Sequence, residues 1–96
     1  MSEYSVEISE EVRNFLDSLD EKSRRICVEN LKKLIEDPYP GTGKGDKKKE
    51  TIRREEIFRI HIGRTYTAFY IIIEDQKLVR IIEIDTIDSA HKKYGA

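Results

Sequence analysis

The chain has 96 residues, 38% hydrophobic and 39% charged, with a formal net charge of −1, enough for one modest core and too little for two, so a single domain over 1–96 is expected. Its longest apolar run, Ala68 to Ile73, spans six residues, far short of the about 20 that a membrane-crossing helix needs. A lone Cys27 has no partner for an internal disulfide, and no leader-like pairing of a basic stretch with an apolar one opens the sequence, so the cytoplasm is the expected compartment.

Tyr4, Val6 and Ile8 alternate with Ser5 and Glu7, the period of a strand with one buried face. Ser9 suits a helix N-cap, Glu10 and Glu11 suit the positive end of the helix dipole, and Val12, Phe15, Leu16 and Leu19 recur at helical spacing. Asp20 caps a second helix with a stripe of Cys27, Leu31, Leu34 and Ile35, which Pro38 and Pro40 bring to an end. Pro40 to Lys49, rich in glycine and lysine, is expected to be an exposed loop. Phe58, Ile60 and Ile62 then alternate with Arg59 and His61 up to a turn at Gly63 and Arg64. Tyr66 to Ile73 is β-branched and aromatic, as a central strand covered on both faces requires. Glu74 to Gln76 is a turn, Leu78 to Ile84 a last strand, and Ser89 to Tyr94 a polar tail. The order β-α-α-β-β-β predicts an α+β fold: an N-terminal strand, a two-helix hairpin and an antiparallel three-strand meander. The first strand lies too far along the chain from the second to form a hairpin with it, and is expected at a sheet edge or beside one of the last two strands.

Charge is unevenly spread. Thr42 to Arg64 carries eight Lys and Arg against four Asp and Glu, whereas Met1 to Gly41 carries six against ten. Lys44, Lys47, Lys48, Lys49, Arg53, Arg54 and Arg64 are candidates for gripping a nucleic-acid backbone; the alternative is a solvated basic loop. Gly41 to Gly45 lacks the spacing and the strand–loop–helix context of a phosphate-binding loop, which excludes nucleotide binding there. His61 and His91, thirty residues apart with scattered carboxylates, show no ligand spacing, so no metal and no cofactor is expected. Arg59 and His61 share the face turned away from Phe58, Ile60 and Ile62. Histidine titrates near about 6.5 and suits proton transfer at neutral pH, while arginine suits a phosphate that gains charge. The competing reading is a solvent-facing strand whose charges blunt edge aggregation.

The Asp37-Pro38 pair closing the helices, the run Phe58-Arg-Ile-His-Ile-Gly63, the segment Tyr66-Thr-Ala-Phe-Tyr70 and the terminal Lys92-Lys93-Tyr94 resemble the RelE/ParE superfamily of toxins from toxin-antitoxin pairs. Resemblance to the RelE-like branch implies a metal-independent endonuclease that cuts mRNA on the ribosome and is neutralised by a cognate antitoxin. Resemblance to the ParE-like branch implies an inhibitor of DNA gyrase. Arg59 and His61 match the alternating basic positions of the RelE-like site, and Tyr94 matches its late tyrosine. His91, Lys92 and Lys93 are the basic residues nearest to that tyrosine. Thr67 stands where the branch has an arginine, and Ile84 to Ser89 holds none of the arginine expected after the last strand. An endoribonuclease using Arg59, His61, His91 and Tyr94 therefore competes with a non-catalytic binding protein of the same fold and, more remotely, with a plain RNA-binding module.

Overall fold

A computed structural model of the chain describes residues 3–39, 46–52 and 55–94, with the side chains of these apart from 46–55, His91, Lys93 and Tyr94. After strand β1 (Ser5–Ile8), the Ser9 hydroxyl accepts the Val12 N–H at 3.2 Å and opens helix α1 (Glu10–Asp17). The Asp20 carboxylate accepts the Ser23 N–H at 3.3 Å and opens α2 (Glu21–Glu36). Both caps satisfy N–H groups that the first turn of a helix leaves without partners.

Strands β2 (Asp46–Ile52), β3 (Glu55–Ile62), β4 (Tyr66–Ile73) and β5 (Leu78–Thr86) follow, and helix α3 (Ile87–Tyr94) completes the described chain. They form one five-stranded sheet in the order β1-β5-β4-β3-β2. The last four strands run antiparallel in sequence order, and β1 lies parallel to β5 at the edge, Ser5 beside Leu78 through Ile8 beside Ile81. The α+β layout is the expected one, with two additions. Asp46 to Ile52, the first part of it expected as loop, is a strand paired with β3, so the meander has four strands. Its sequence, DKKKETI, has no apolar alternation, and lysines are common on edge strands because they discourage further pairing. Ser89 to Tyr94, expected as a tail, belongs to α3; the Thr86 hydroxyl accepts the Ser89 N–H at 3.2 Å and the Ile87 N–H reaches the Thr65 carbonyl at 2.8 Å.

One face of the sheet is covered by α1 and α2. Val12, Leu16, Cys27, Leu31 and Leu34 pack there against Phe58, Ile60, Ile62, Ala68, Tyr70, Val79, Ile81 and Ile84. Cys27 is a core residue, and burial pushes its thiol up to about 11. On the other face a smaller cluster joins Ile57 and Phe69 to Ala90 of α3, with Ile71 and Ile82 against it. Register in β5 shifts beside the Phe69–Tyr70 step, where Phe69 faces Glu83 but Tyr70 faces Ile81. This bulge at Ile82 turns Ile84 into the main core and sends Glu83 and Asp85 to the opposite face.

Three segments remote in sequence are tied together at one carboxylate. Tyr4 Oη donates to Glu74 at 2.9 and 3.1 Å, Tyr39 Oη donates to it as well, and Lys77 Nζ donates at 2.5 Å. Lys77 adopts the left-handed conformation, φ 49°, that closes the β4–β5 turn. Beneath this network the buried Tyr70 Oη donates to the Pro38 carbonyl at 2.6 Å. The Lys77 hydrogen bond, then those from Tyr39 and Tyr4, hold the Glu74 carboxyl down at about 2, against an ordinary 4.5. A depressed folded-state value stabilises the fold above the ordinary value, and that contribution disappears as pH falls through the depressed one. Glu74→Gln is therefore expected to lower Tm at pH 7 and to weaken the acid dependence between about pH 4.5 and 2. The two proteins converge near the bottom of that range; circular dichroism melts across pH check both points. Tyr70→Phe, which leaves the Pro38 carbonyl without its buried donor, is expected to cost about 1–3 kcal/mol in the same melts.

Candidate functional site

Residues directly opposite one another on antiparallel strands share a face. Arg59 faces Phe69, which faces Glu83; His61 faces Thr67, which faces Asp85. These six residues form two rungs across the face that α1 and α2 do not cover. At the β2 edge the backbone register continues them, with Lys48 opposite Arg59 and Asp46 opposite His61. Arg59, His61, Glu83 and Asp85 are all half-buried. Adjacent strands lie about 4.8 Å apart, which puts the backbones of His61 and Asp85, two strands away from each other, at about 10 Å.

The middle of each rung is closed. Phe69 is buried in the cluster with Ile57 and Ala90. Thr67 is 1% exposed, and its hydroxyl donates to the Ile60 carbonyl at 3.3 Å. Asp85 is oriented by its own turn, since Oδ1 accepts the Thr86 N–H at 2.8 Å. Between the edge of β5 and α1, toward the helix-covered face, a cleft of about 230 Å³ is lined by Glu11, Val12, Phe15, Glu83, Ile84 and Asp85.

The predicted residues divide into three groups. Arg59 and His61 lie on this face, and α3 packs against it through Ala90, which brings the backbone of His91, Lys92, Lys93 and Tyr94 to the same side of the sheet. Lys92 is exposed, as is Arg64 in the β3–β4 turn at one end of the rungs. Lys44, Arg53 and Arg54 lie outside the described residues, as do the side chains of Lys47, Lys48, Lys49, His91, Lys93 and Tyr94, although the backbones of Lys47, Lys48 and Lys49 run along β2. Glu83 and Asp85 were not among the candidates. The signal that marks them is the spacing of Val79, Ile81 and Ile84, two residues and then three, which betrays the bulge. Among the described residues, no group of three or more His, Cys, Asp or Glu is placed to hold a metal ion.

No family model matches the sequence, and no curated protein matches it. Solved structures do. The archaeal RelE–RelB complex from Pyrococcus horikoshii OT3 aligns with a TM-score of 0.72 and 25% identity over 90% of this chain and 96% of the other. The toxin-antitoxin complex RelBE2 from Mycobacterium tuberculosis aligns at 0.73 and 22% identity, covering 88% and 98%. This chain has the RelE-like toxin fold. The intact E. coli RelBE toxin-antitoxin complex aligns at 0.55 with 19% identity, over 84% and 93% of the two chains.

Within the RelE-like fold of this chain, Thr67 occupies the β4 position where the resemblance leads one to expect arginine, and it is enclosed. Thr67→Val is expected to cost about 1 kcal/mol, the worth of one ordinary hydrogen bond. Thr67→Arg is expected to cost about 3 kcal/mol or more, because a guanidinium has to be placed where almost no solvent reaches. Urea unfolding of both variants tests this ordering.

Proposed function

We propose that the chain is the toxin of a toxin-antitoxin pair, acting in the cytoplasm as a metal-independent endoribonuclease that cuts mRNA on the ribosome and so stops translation. The observation that carries this reading is the pairing of Arg59 and His61, half-buried side by side on a sheet face against which the C-terminal helix packs. Cleavage without a metal proceeds by in-line attack of a ribose 2′-hydroxyl on the adjacent phosphorus, and it needs a proton donor for the leaving oxygen and a cation beside the charge that builds up. His61 supplies the first and Arg59 the second. Exposed Arg64 and Lys92 are available to the backbone of the RNA, and Lys48 holds the β2 register position opposite Arg59.

The cognate antitoxin is the expected partner, as the solved complexes of RelE-like proteins with RelB suggest. An apolar cleft of about 160 Å³ between β1, α1 and α2, lined by Val6, Ile8, Leu16, Val28, Leu31 and Ile35, offers it a docking surface. A disordered segment that folds on binding buries its apolar side chains in such a cleft. Thr67 favours one second reading: a protein of the same fold without catalysis, which binds an antitoxin or inhibits a topoisomerase such as DNA gyrase.

A purified translation system separates the two. Wild-type protein is expected to cleave ribosome-bound mRNA, and folded Arg59→Ala and His61→Ala are each expected to lose about 100-fold or more of that rate, the usual worth of a positioned proton-transfer or charge-stabilising group. Intact mRNA with competent ribosomes contradicts the endonuclease reading and leaves the binding reading.

A further inference from the structure

Building on the endonuclease reading, we propose that Asp85 is the general base of RNA cleavage, working across the sheet from His61 as the general acid. If His61 starts the reaction protonated, to donate to the leaving oxygen, another group has to accept the 2′-hydroxyl proton. Arg59 cannot accept one, and the buried Thr67 hydroxyl is committed to the Ile60 carbonyl. Glu83 and Asp85 are the described acceptors on this face.

Asp85 is the better placed of the two. It lies on the rung of His61, and the residue between them, Thr67, is short. Glu83 shares its rung with Arg59, and the interval there is filled by Phe69 packed under Ala90. In-line displacement sets base, attacking oxygen, leaving oxygen and acid in succession at steps of about 3 Å, a span of about 9 Å. The backbones of His61 and Asp85 lie about 10 Å apart, with side chains that stand away from the sheet. The Thr86 N–H holds Oδ1 of Asp85 and fixes the carboxylate's orientation. The described charged groups on the elements around Asp85 are Arg59 and His61 on β3, Glu83 on β5, Asp88 and Lys92 on α3, and Glu11 of α1 across the cleft.

In the reaction the 2′-oxygen gives its proton to Asp85 and forms a bond to phosphorus as the bond from phosphorus to the 5′-oxygen breaks. The departing oxygen takes a proton from His61. The products are a 2′,3′-cyclic phosphate and a 5′-hydroxyl, with Asp85 protonated and His61 neutral.

The test is the pH–rate profile of mRNA cleavage in the purified translation system for wild type, Asp85→Asn and Asp85→Glu. Asparagine keeps the oxygen that accepts the Thr86 N–H, and circular dichroism melts establish that each variant is folded. The expected result is a loss of about 100-fold or more for Asp85→Asn with disappearance of the acidic limb of the profile, and partial recovery in Asp85→Glu with the limb returned but displaced toward higher pH, as the higher ordinary value of a glutamate requires. Cleavage by Asp85→Asn at the wild-type rate with the acidic limb unchanged overturns the assignment and leaves the endonuclease reading standing. Should Asp85→Asn fail to fold, the assignment rests on Asp85→Glu, and an acidic limb identical to that of wild type overturns it. If wild type leaves the mRNA intact, both the assignment and the reading fall.

Discussion

β4 is the third of five strands and is packed on both faces, by α1 and α2 on one side and by α3 on the other. A strand in that position cannot carry charge on either face without burying it, and Tyr66 to Ile73 carries none. The charged groups of the two rungs consequently lie on the flanking strands, Arg59 and His61 on β3 and Glu83 and Asp85 on β5. Buried Thr67 follows from the same constraint: an arginine there has to compete with packing against its neighbours, and a short residue leaves the two flanking strands to face each other across it. The site is thus a pair of charged walls about 10 Å apart over a closed floor.

The strands can hold that spacing because their ends are anchored. Glu74, in the turn that joins β4 to β5, gathers hydrogen bonds from Tyr4 just before β1, from Tyr39 after α2 and from Lys77 in its own turn. β1 contributes further: the Tyr4 N–H bonds to the Ile35 carbonyl, the Ser5 N–H to that of Lys77 and the Ser9 N–H to that of Ile81. The parallel edge strand therefore links the helical layer to β5, the strand that carries the two carboxylates. At the far end of β5, Thr86 turns the chain into α3, and Ala90 packs over Phe69. The bulge at Ile82, between these anchors, decides which face Glu83 and Asp85 occupy.

Much of this was legible in residue order. Ser9 and Asp20 cap as their positions predict, the alternation of Phe58, Ile60 and Ile62 assigns Arg59 and His61 to the opposite face, and the unbroken apolar run of β4 announces a strand covered twice. Three features escaped for identifiable reasons. β2 is built largely from lysine and acid with no apolar alternation, so its strand character comes from pairing with β3 and not from its own side chains. Of the described side chains of α3 Ala90 alone is fully buried, and the sequence IDSAHKKY shows no apolar stripe that stands out in eight residues. Glu83 and Asp85 follow a register shift, and strict alternation from Ile81 sends them to the wrong face.

The proposed endonuclease requires proton transfer between groups on β3 and β5 of one sheet face. End-group analysis of mRNA fragments from a purified translation system tests it most directly. Upstream fragments are expected to end in a 2′,3′-cyclic phosphate and downstream fragments to begin with a 5′-hydroxyl, formed equally in the presence of a metal chelator that leaves the ribosomes intact. Fragments beginning with a 5′-phosphate, or mRNA left uncut, would contradict it.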